Sequence, residues 1–182
     1  MEGYPLDRFR QMFETNTLGA LRLIQAVLPA WRKRGSGVIV NVSNINGRVS
    51  SPLRAAYSAS KFALEALTES LHYEVRHFGI RSVLIEPGAT ATGIKPSQIH
   101  LGPADYAGLW EQCAGVDTKT TGTSGPAAPE VVALAIASAI EDPATPLRVP
   151  VGQDARMILG LRRSLDDQAF EDAMRKALGF TW

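Results

Sequence analysis

Tyr57 and Lys61 stand four residues apart in the stretch Asn41 to Lys61, NVSNINGRVSSPLRAAYSASK. On a helix, residues four apart lie on one face, so the ammonium of Lys61 can approach the phenol of Tyr57. A free phenol ionises near pH 10 and is a poor base at neutrality, but a neighbouring positive charge favours the phenolate and lowers that value. Such a pair could give or take a proton. Tyr-x-x-x-Lys alone also fits an amphipathic helix with an aromatic and a lysine at chance spacing, so the surrounding chain has to decide.

The elements that would position the pair can be read in order. Phe9, Phe13, Leu21, Ile24 and Leu28 recur at three- to four-residue steps and predict a helix from about Leu6 to Arg34, with Pro5 near its start and Gly35 at its end. Asn16 lies within it, as a polar residue on a solvated face or as part of a site. Gly37 to Val42, GVIVNV, is a β-branched run of the kind buried on both faces of a parallel sheet. A helix from about Ala56 to His77 would bury Phe62, Leu64, Leu67, Leu71 and Val75 and stop at Gly79. Ile80 to Ile85 reads as a second buried strand, broken by Pro87-Gly88. Strand, helix, strand is a right-handed βαβ unit that offers ligand sites at the carboxyl ends of its strands, where Asn44 and Pro87 both fall.

Gly93 to Gly125 loses period and gathers Gly, Pro, Thr and Ser, which reads as a lid or binding loop. Within it Tyr106, Leu109 and Trp110 form a small apolar patch that lines a pocket or packs a short lid helix. Pro129 to Ile140 reads as an amphipathic helix and Leu147 to Val151 as a short strand, placed at a sheet edge because Pro150 has no amide proton. Ser164 reads as the N-cap of a last helix to about Leu178, with Asp166 and Asp167 at its positive end.

Composition narrows the classes. A chain of 182 residues, 45% of them hydrophobic, suits one domain with a real core. Nineteen basic against eighteen acidic side chains leave a formal charge of +1, with no basic stripe for nucleic acid and no acidic tail. The single Cys113 forms no internal disulfide, which predicts a reducing, cytoplasmic setting. MEGYPLDRFR lacks the pattern of a secretory signal, and the apolar stretch Leu18 to Trp31 is too short for a membrane span. His72, His77 and His100 are scattered, Glu65, Glu69 and Glu74 read as solvated helix charges, and no metal site is expected.

Four segments together, FETNTLG at Phe13 to Gly19, GVIVNVSN at Gly37 to Asn44, YSASK at Tyr57 to Lys61 and EPGATAT at Glu86 to Thr92, resemble the active-site half of the short-chain dehydrogenase/reductases in order and spacing. The resemblance runs through almost the whole chain and implies an α/β fold, a partial Rossmann-like, doubly wound parallel sheet. It divides the chain into an active-site half 1–92, a substrate loop 93–126 and a C-terminal helix-strand-helix 127–182. It implies hydride transfer between NAD or NADP and an alcohol or carbonyl carbon. Tyr57 would be the general acid or base, Lys61 would lower its pKa and hold the nicotinamide ribose, and Asn16 would shape its helix and carry a relay water. Pro87, Gly88 and Thr92 would contact the nicotinamide end, and Tyr106 and Trp110 would border the substrate. PLRVPVGQDA and LRRSLDDQAFEDAMRKALG resemble hydroxysteroid- and retinol-dehydrogenase-like members, which makes a lipophilic alcohol or ketone the expected substrate class. A complete domain of this type would be a homodimer or homotetramer; the rival expectation is a non-catalytic module that keeps the two long helices as a dimer surface.

Two departures stand out. Thirteen residues before Tyr57 the family carries a Ser that hydrogen-bonds the reacting oxygen, and here that place is Asn44. Ser43 is adjacent, but neighbouring strand residues point to opposite faces, so it is no simple replacement. Asn44 still has an amide donor, and weakened activity is expected. The second departure is that the sequence contains no TGxxxGxG turn, which in the family receives the pyrophosphate at a helix N-terminus. A shortened form of a longer chain, completion by another polypeptide and a degenerate relative all fit that pattern, the first being preferred. Missing strands would leave an apolar sheet edge open.

Overall fold

The computed structural model describes residues 1–93, 103–114, 116–121 and 125–181. Three parallel strands, β1 (Gly37–Val42), β2 (Ile80–Pro87) and β3 (Arg148–Val151), pair in the order β1-β2-β3. Gly37 lies opposite Ile80 and Val42 opposite Ile85, and Pro150 is opposite Glu86. Among the described residues β3 therefore sits at an edge, where a proline costs no ladder hydrogen bond.

The first long helix is one run in three pieces: α1 (Leu6–Phe13), a π-helical turn (Glu14–Leu18) and α2 (Gly19–Arg34). It ends at Gly35 in the left-handed region, φ 74°, as α3 (Ala55–Val75) and its short 3-10 extension end at Gly79, φ 72°. Side chains alternate along β2, so Ile80 packs with Ile24, Ile39, Leu71 and Val75 of one cluster, while Val83 and Ile85 pack with Ala139 and Val151 on the opposite face. The second cluster is closed by α6 (Pro129–Glu141), giving helices on both faces of a parallel sheet, a partial doubly wound α/β architecture as expected.

Several expectations need correction. Phe62 is not core: 43% of it is exposed on the flank of α3, while Leu64, Leu71 and Val75 are buried. GVIVNV is not sealed on both faces, since Val42 is 42% exposed and β1 has no second neighbour among the described residues. The stretch read as irregular holds two short helices, α4 (Ala107–Cys113) and α5 (Val116–Thr121); residues 94–102, 115 and 122–124, and with them His100, lie outside the described residues. Ser164 does not cap the last helix. It ends α7 (Gln153–Ser164), and the N-cap of α8 (Asp167–Leu178) is Asp166, whose carboxylate accepts from the Ala169 amide at 2.8 Å. The C-terminal part is thus one strand and three helices, counting α6, among the described residues.

Glu65 is not a solvated charge. It is buried, and Arg148, from β3, donates to it at 2.9 Å and to Glu69 at 3.0 Å. Glu86, also buried, lies 3.7 Å from both Arg48 and Arg148. Burial first, and the nearby Glu65 second, push its carboxyl up from 4.5 to about 7, against the pull of Arg48, Arg148 and Arg163. The folded chain therefore keeps a proton that the unfolded chain has released between about pH 4.5 and 7, and stability falls as pH rises through that window. Glu86→Gln, permanently neutral, is expected to raise stability by roughly 1–3 kcal/mol at pH 8 and to leave it unchanged near pH 4. Urea denaturation at the two pH values checks this, and an equal effect at both contradicts it.

Candidate active site

Tyr57 sits in the first turn of α3, and Lys61 follows one turn later, both half-buried. The Lys61 ammonium donates to the carbonyl of Val42, the last residue of β1, at 2.9 Å, tying the helix to the strand tip. Its Nζ lies 5.9 Å from the centroid of the Tyr57 ring. The ammonium thus lies at the carboxyl end of β1, on the face of the Tyr57 ring.

The electrostatics differ from the sequence expectation. Burial pushes the Tyr57 phenol above its ordinary 10.0, with Arg54 pulling the other way. Burial also lowers Lys61 from 10.5, opposed by Glu65. Lys61 stands over the ring and gives its hydrogen bond to Val42, so desolvation of the phenol wins over the nearby charge. In the isolated chain the phenol is a proton donor at neutral pH.

Asn16 falls inside the π turn, where the Gly19 amide reaches back five residues to Glu14. Its Nδ2 donates to Ser60 Oγ at 3.0 Å, and Ser60 Oγ donates to the Tyr57 carbonyl at 2.7 Å. Thr17 adds a bond to the Ser60 carbonyl at 2.9 Å. The helix distortion expected around Asn16 is present, and it docks that helix on the turn carrying Tyr57. Ser60 and Thr17 were not singled out from sequence; the signal was their adjacency to Asn16 and Lys61, with Ser60 one helical turn after Tyr57.

Asn44 is extended, φ −173°, at the tip of β1. Its Nδ2 donates to the Pro87 carbonyl at 2.9 Å, and its Oδ1 accepts from the amide and side chain of Asn46 at 3.0 and 2.8 Å. One N–H of the amide remains for another acceptor. Ser43 points to the other face, buried against Gly47 and without a hydrogen-bond partner among the described residues. Pro87 and Gly88 are buried at the end of β2, and Thr92 is exposed a few residues on. Asn44 and Pro87 thus meet across the two strand tips.

Tyr106 and Trp110 are half-buried in the segment around α4. The Tyr106 phenol donates to Glu2 at 3.1 Å, and that carboxylate raises its pKa. A cavity of about 610 Å³ is lined by Arg48, Glu86, Arg148, Pro150, Leu159, Arg162 and Arg163, none of them a sequence-predicted site residue. No group of His, Cys, Asp and Glu suited to a metal occurs among the described residues, nor does a helix long and apolar enough to cross a membrane.

Comparison with known proteins gives the family. The family described as short chain dehydrogenase matches residues 1–100. An uncharacterized oxidoreductase of Schizosaccharomyces pombe is 32% identical over 98% of this chain and 75% of its own length. The crystal structure of a short-chain dehydrogenase from Streptomyces avermitilis superposes with a TM-score of 0.77 at 32% identity, covering 100% of this chain and 66% of that one. A 3-oxoacyl-[acyl-carrier protein] reductase with bound NAD from Brucella melitensis gives a TM-score of 0.63 at 25% identity, over 82% of this chain and 52% of that one. The chain belongs to the short-chain dehydrogenase family. It spans between half and three-quarters of the length of these relatives.

Proposed function

We propose that the protein is an NAD- or NADP-dependent oxidoreductase of the short-chain type, acting on an alcohol or carbonyl carbon of a lipophilic small molecule. The observation that carries this reading is the Tyr57 and Lys61 pair one turn apart, with Lys61 anchored on Val42 beside the strand tip. The donor set fits the nicotinamide end of such a cofactor. An ammonium has three N–H donors, and one hydrogen bond of Lys61 is seen among the described residues, leaving two for ribose hydroxyls. Bound nicotinamide would supply or accept the hydride. Tyr57 would give its proton to the developing alkoxide in reduction and accept one in oxidation. Lys61, paired with a bound ribose, would offset the desolvation that holds the phenol's pKa up. Asn16 would keep Tyr57 in place through Ser60 and hold a water for proton exchange. Pro87, Gly88 and Thr92 would border the nicotinamide, and Tyr106 and Trp110 the substrate.

Titration with NADH and with NADPH, followed by quenching of protein fluorescence, tests the reading. Saturable binding of at least one is expected. Dimerisation without binding of either contradicts it and favours an interaction module.

Asn44 is the residue that sets activity below that of the Ser form. Two of its three described bonds hold Asn46 and one holds Pro87, leaving one N–H for a reacting oxygen. Asn44→Ser is expected to raise kcat on a panel of cyclic and medium-chain secondary alcohols on the order of tenfold, less than the roughly hundredfold or more that losing an oxyanion donor outright costs, because one N–H of Asn44 remains. Unchanged or lower kcat contradicts this.

A further inference from the structure

Resting on the proposed reading of Pro87, Gly88 and Thr92 as the nicotinamide border, we infer that Asp154 is a positioning residue that fixes this turn through the amide of Ala89. Asp154 lies in the first turn of α7 with 5% of its surface exposed. Its Oδ2 accepts from the Ala89 amide at 2.7 Å, across 65 residues of sequence. The carboxylate occupies a slot between two glycines. A Cβ on Gly88 would overlap both of its oxygens, and one on Gly152, φ 101°, would lie 2.7 Å from Oδ1. Gly88 is thus required for a close approach, its neighbour's amide being the group approached.

Backbone bonds hold much of the rest of the turn, and the Thr90 hydroxyl donates to the Gly88 carbonyl at 3.3 Å. Gly88 N–H donates to Val151 at 3.0 Å, Ala127 N–H to Ala89 at 3.0 Å and Ala91 N–H to Ala127 at 2.9 Å. From the β1 side Asn44 holds the Pro87 carbonyl. The Ala89 amide is the point of this turn whose partner is a carboxylate, and a charge-assisted bond is stronger than its neutral counterpart. Asp154 touches the turn and acts through it, so its removal should change how well a nicotinamide is held before it changes the proton transfer at Tyr57.

The test uses the full chain carrying Asp154→Ala, Asp154→Asn or Gly88→Ala, and reads three quantities: exchange of the Ala89 amide, affinity for whichever of NADH and NADPH the wild type binds, and melting temperature. In Asp154→Ala, Ala89 exchange is expected to quicken and affinity to weaken, each about tenfold, the size of one lost hydrogen bond to a charged group. The Val40 amide in β1 should exchange as before, and kcat at saturating cofactor should change by less than about threefold, as expected when binding and not chemistry is lost. Asp154→Asn, whose amide oxygen can still accept from Ala89, should recover most of the affinity. Gly88→Ala should weaken binding as Asp154→Ala does, and in combination with Asp154→Ala should cost little more, because the clash is with the carboxylate. Unchanged affinity in Asp154→Ala, beside a wild type that binds, overturns this inference alone, as does a lower melting temperature with Ala89 exchange within twofold of wild type. A wild type that binds neither nucleotide overturns the functional reading and this inference with it.

Discussion

Tyr57→Phe is expected to lower turnover by about a hundredfold to ten-thousandfold, the range a positioned proton donor contributes. Phenylalanine keeps the ring that Lys61 overlies and removes only the hydroxyl, so the helix, the Val42 anchor and the Ser60 link to the residue's backbone carbonyl should all persist. Nicotinamide affinity should stay within about twofold of wild type, because the loss falls on the transition state and not on uniform binding. Steady-state kinetics with the secondary-alcohol panel, beside a fluorescence titration of the same variant, separate the two quantities. Turnover within threefold of wild type would remove Tyr57 from the reaction. Equal loss of binding and turnover would make it a structural residue.

Arg148→Ala should have the largest effect on stability. Arg148 joins β3 to α3 by direct bonds to Glu65 and Glu69, and stands beside Glu86. Glu65 is 5% exposed at its side chain, so deleting Arg148 strands a carboxylate that water reaches poorly. Breaking a buried pair from one side costs about 3–5 kcal/mol, and the partial exposure of Arg148 brings the expected loss to roughly 2–4 kcal/mol. Adding Glu65→Gln removes the stranded charge and should recover about half of that. Urea denaturation of the single and double variants measures this; a loss below about 0.5 kcal/mol for Arg148→Ala would show the contact to be a solvated surface pair.

Arg148 also shows where sequence reading stops. Glu65 and Glu69 share a helix face, and nothing local says that an arginine of β3 will arrive above them; without it, solvated charges is the natural inference. Local patterns fared better. β1 is a β-branched run, β2 is a mostly apolar stretch between Gly79 and Pro87-Gly88, and α3 repeats its apolar residues at helical spacing, so their limits were legible within two residues. Gly35 and Gly79 end their helices for the conformational reason that predicted them. α7 was missed: Ala155, Ile158 and Leu159 recur at three- and four-residue steps, but Ser164, which ends this helix, was read as the cap of the one that follows.

At the site, the sequence placed Tyr57 and Lys61 on one face and Asn44 and Pro87 at adjacent strand tips, as spacing and topology require. It could not place Asp154 against Gly88, because that contact joins the start of α7 to the turn that leaves β2, 65 residues earlier in the sequence. Nor did spacing reveal the sign of the phenol's perturbation: a lysine one turn away suggests a lowered pKa, while burial, visible only in three dimensions, raises it.

That sign makes the most direct measurement a pH profile of nicotinamide-linked alcohol oxidation, wild type beside Tyr57→Phe and Lys61→Met. Oxidation needs the phenolate, so the wild-type rate should rise with pH as Tyr57 ionises, Lys61→Met should move that rise to higher pH, and Tyr57→Phe should abolish it. A profile of the same shape in Tyr57→Phe would contradict the assignment of proton transfer to this residue pair.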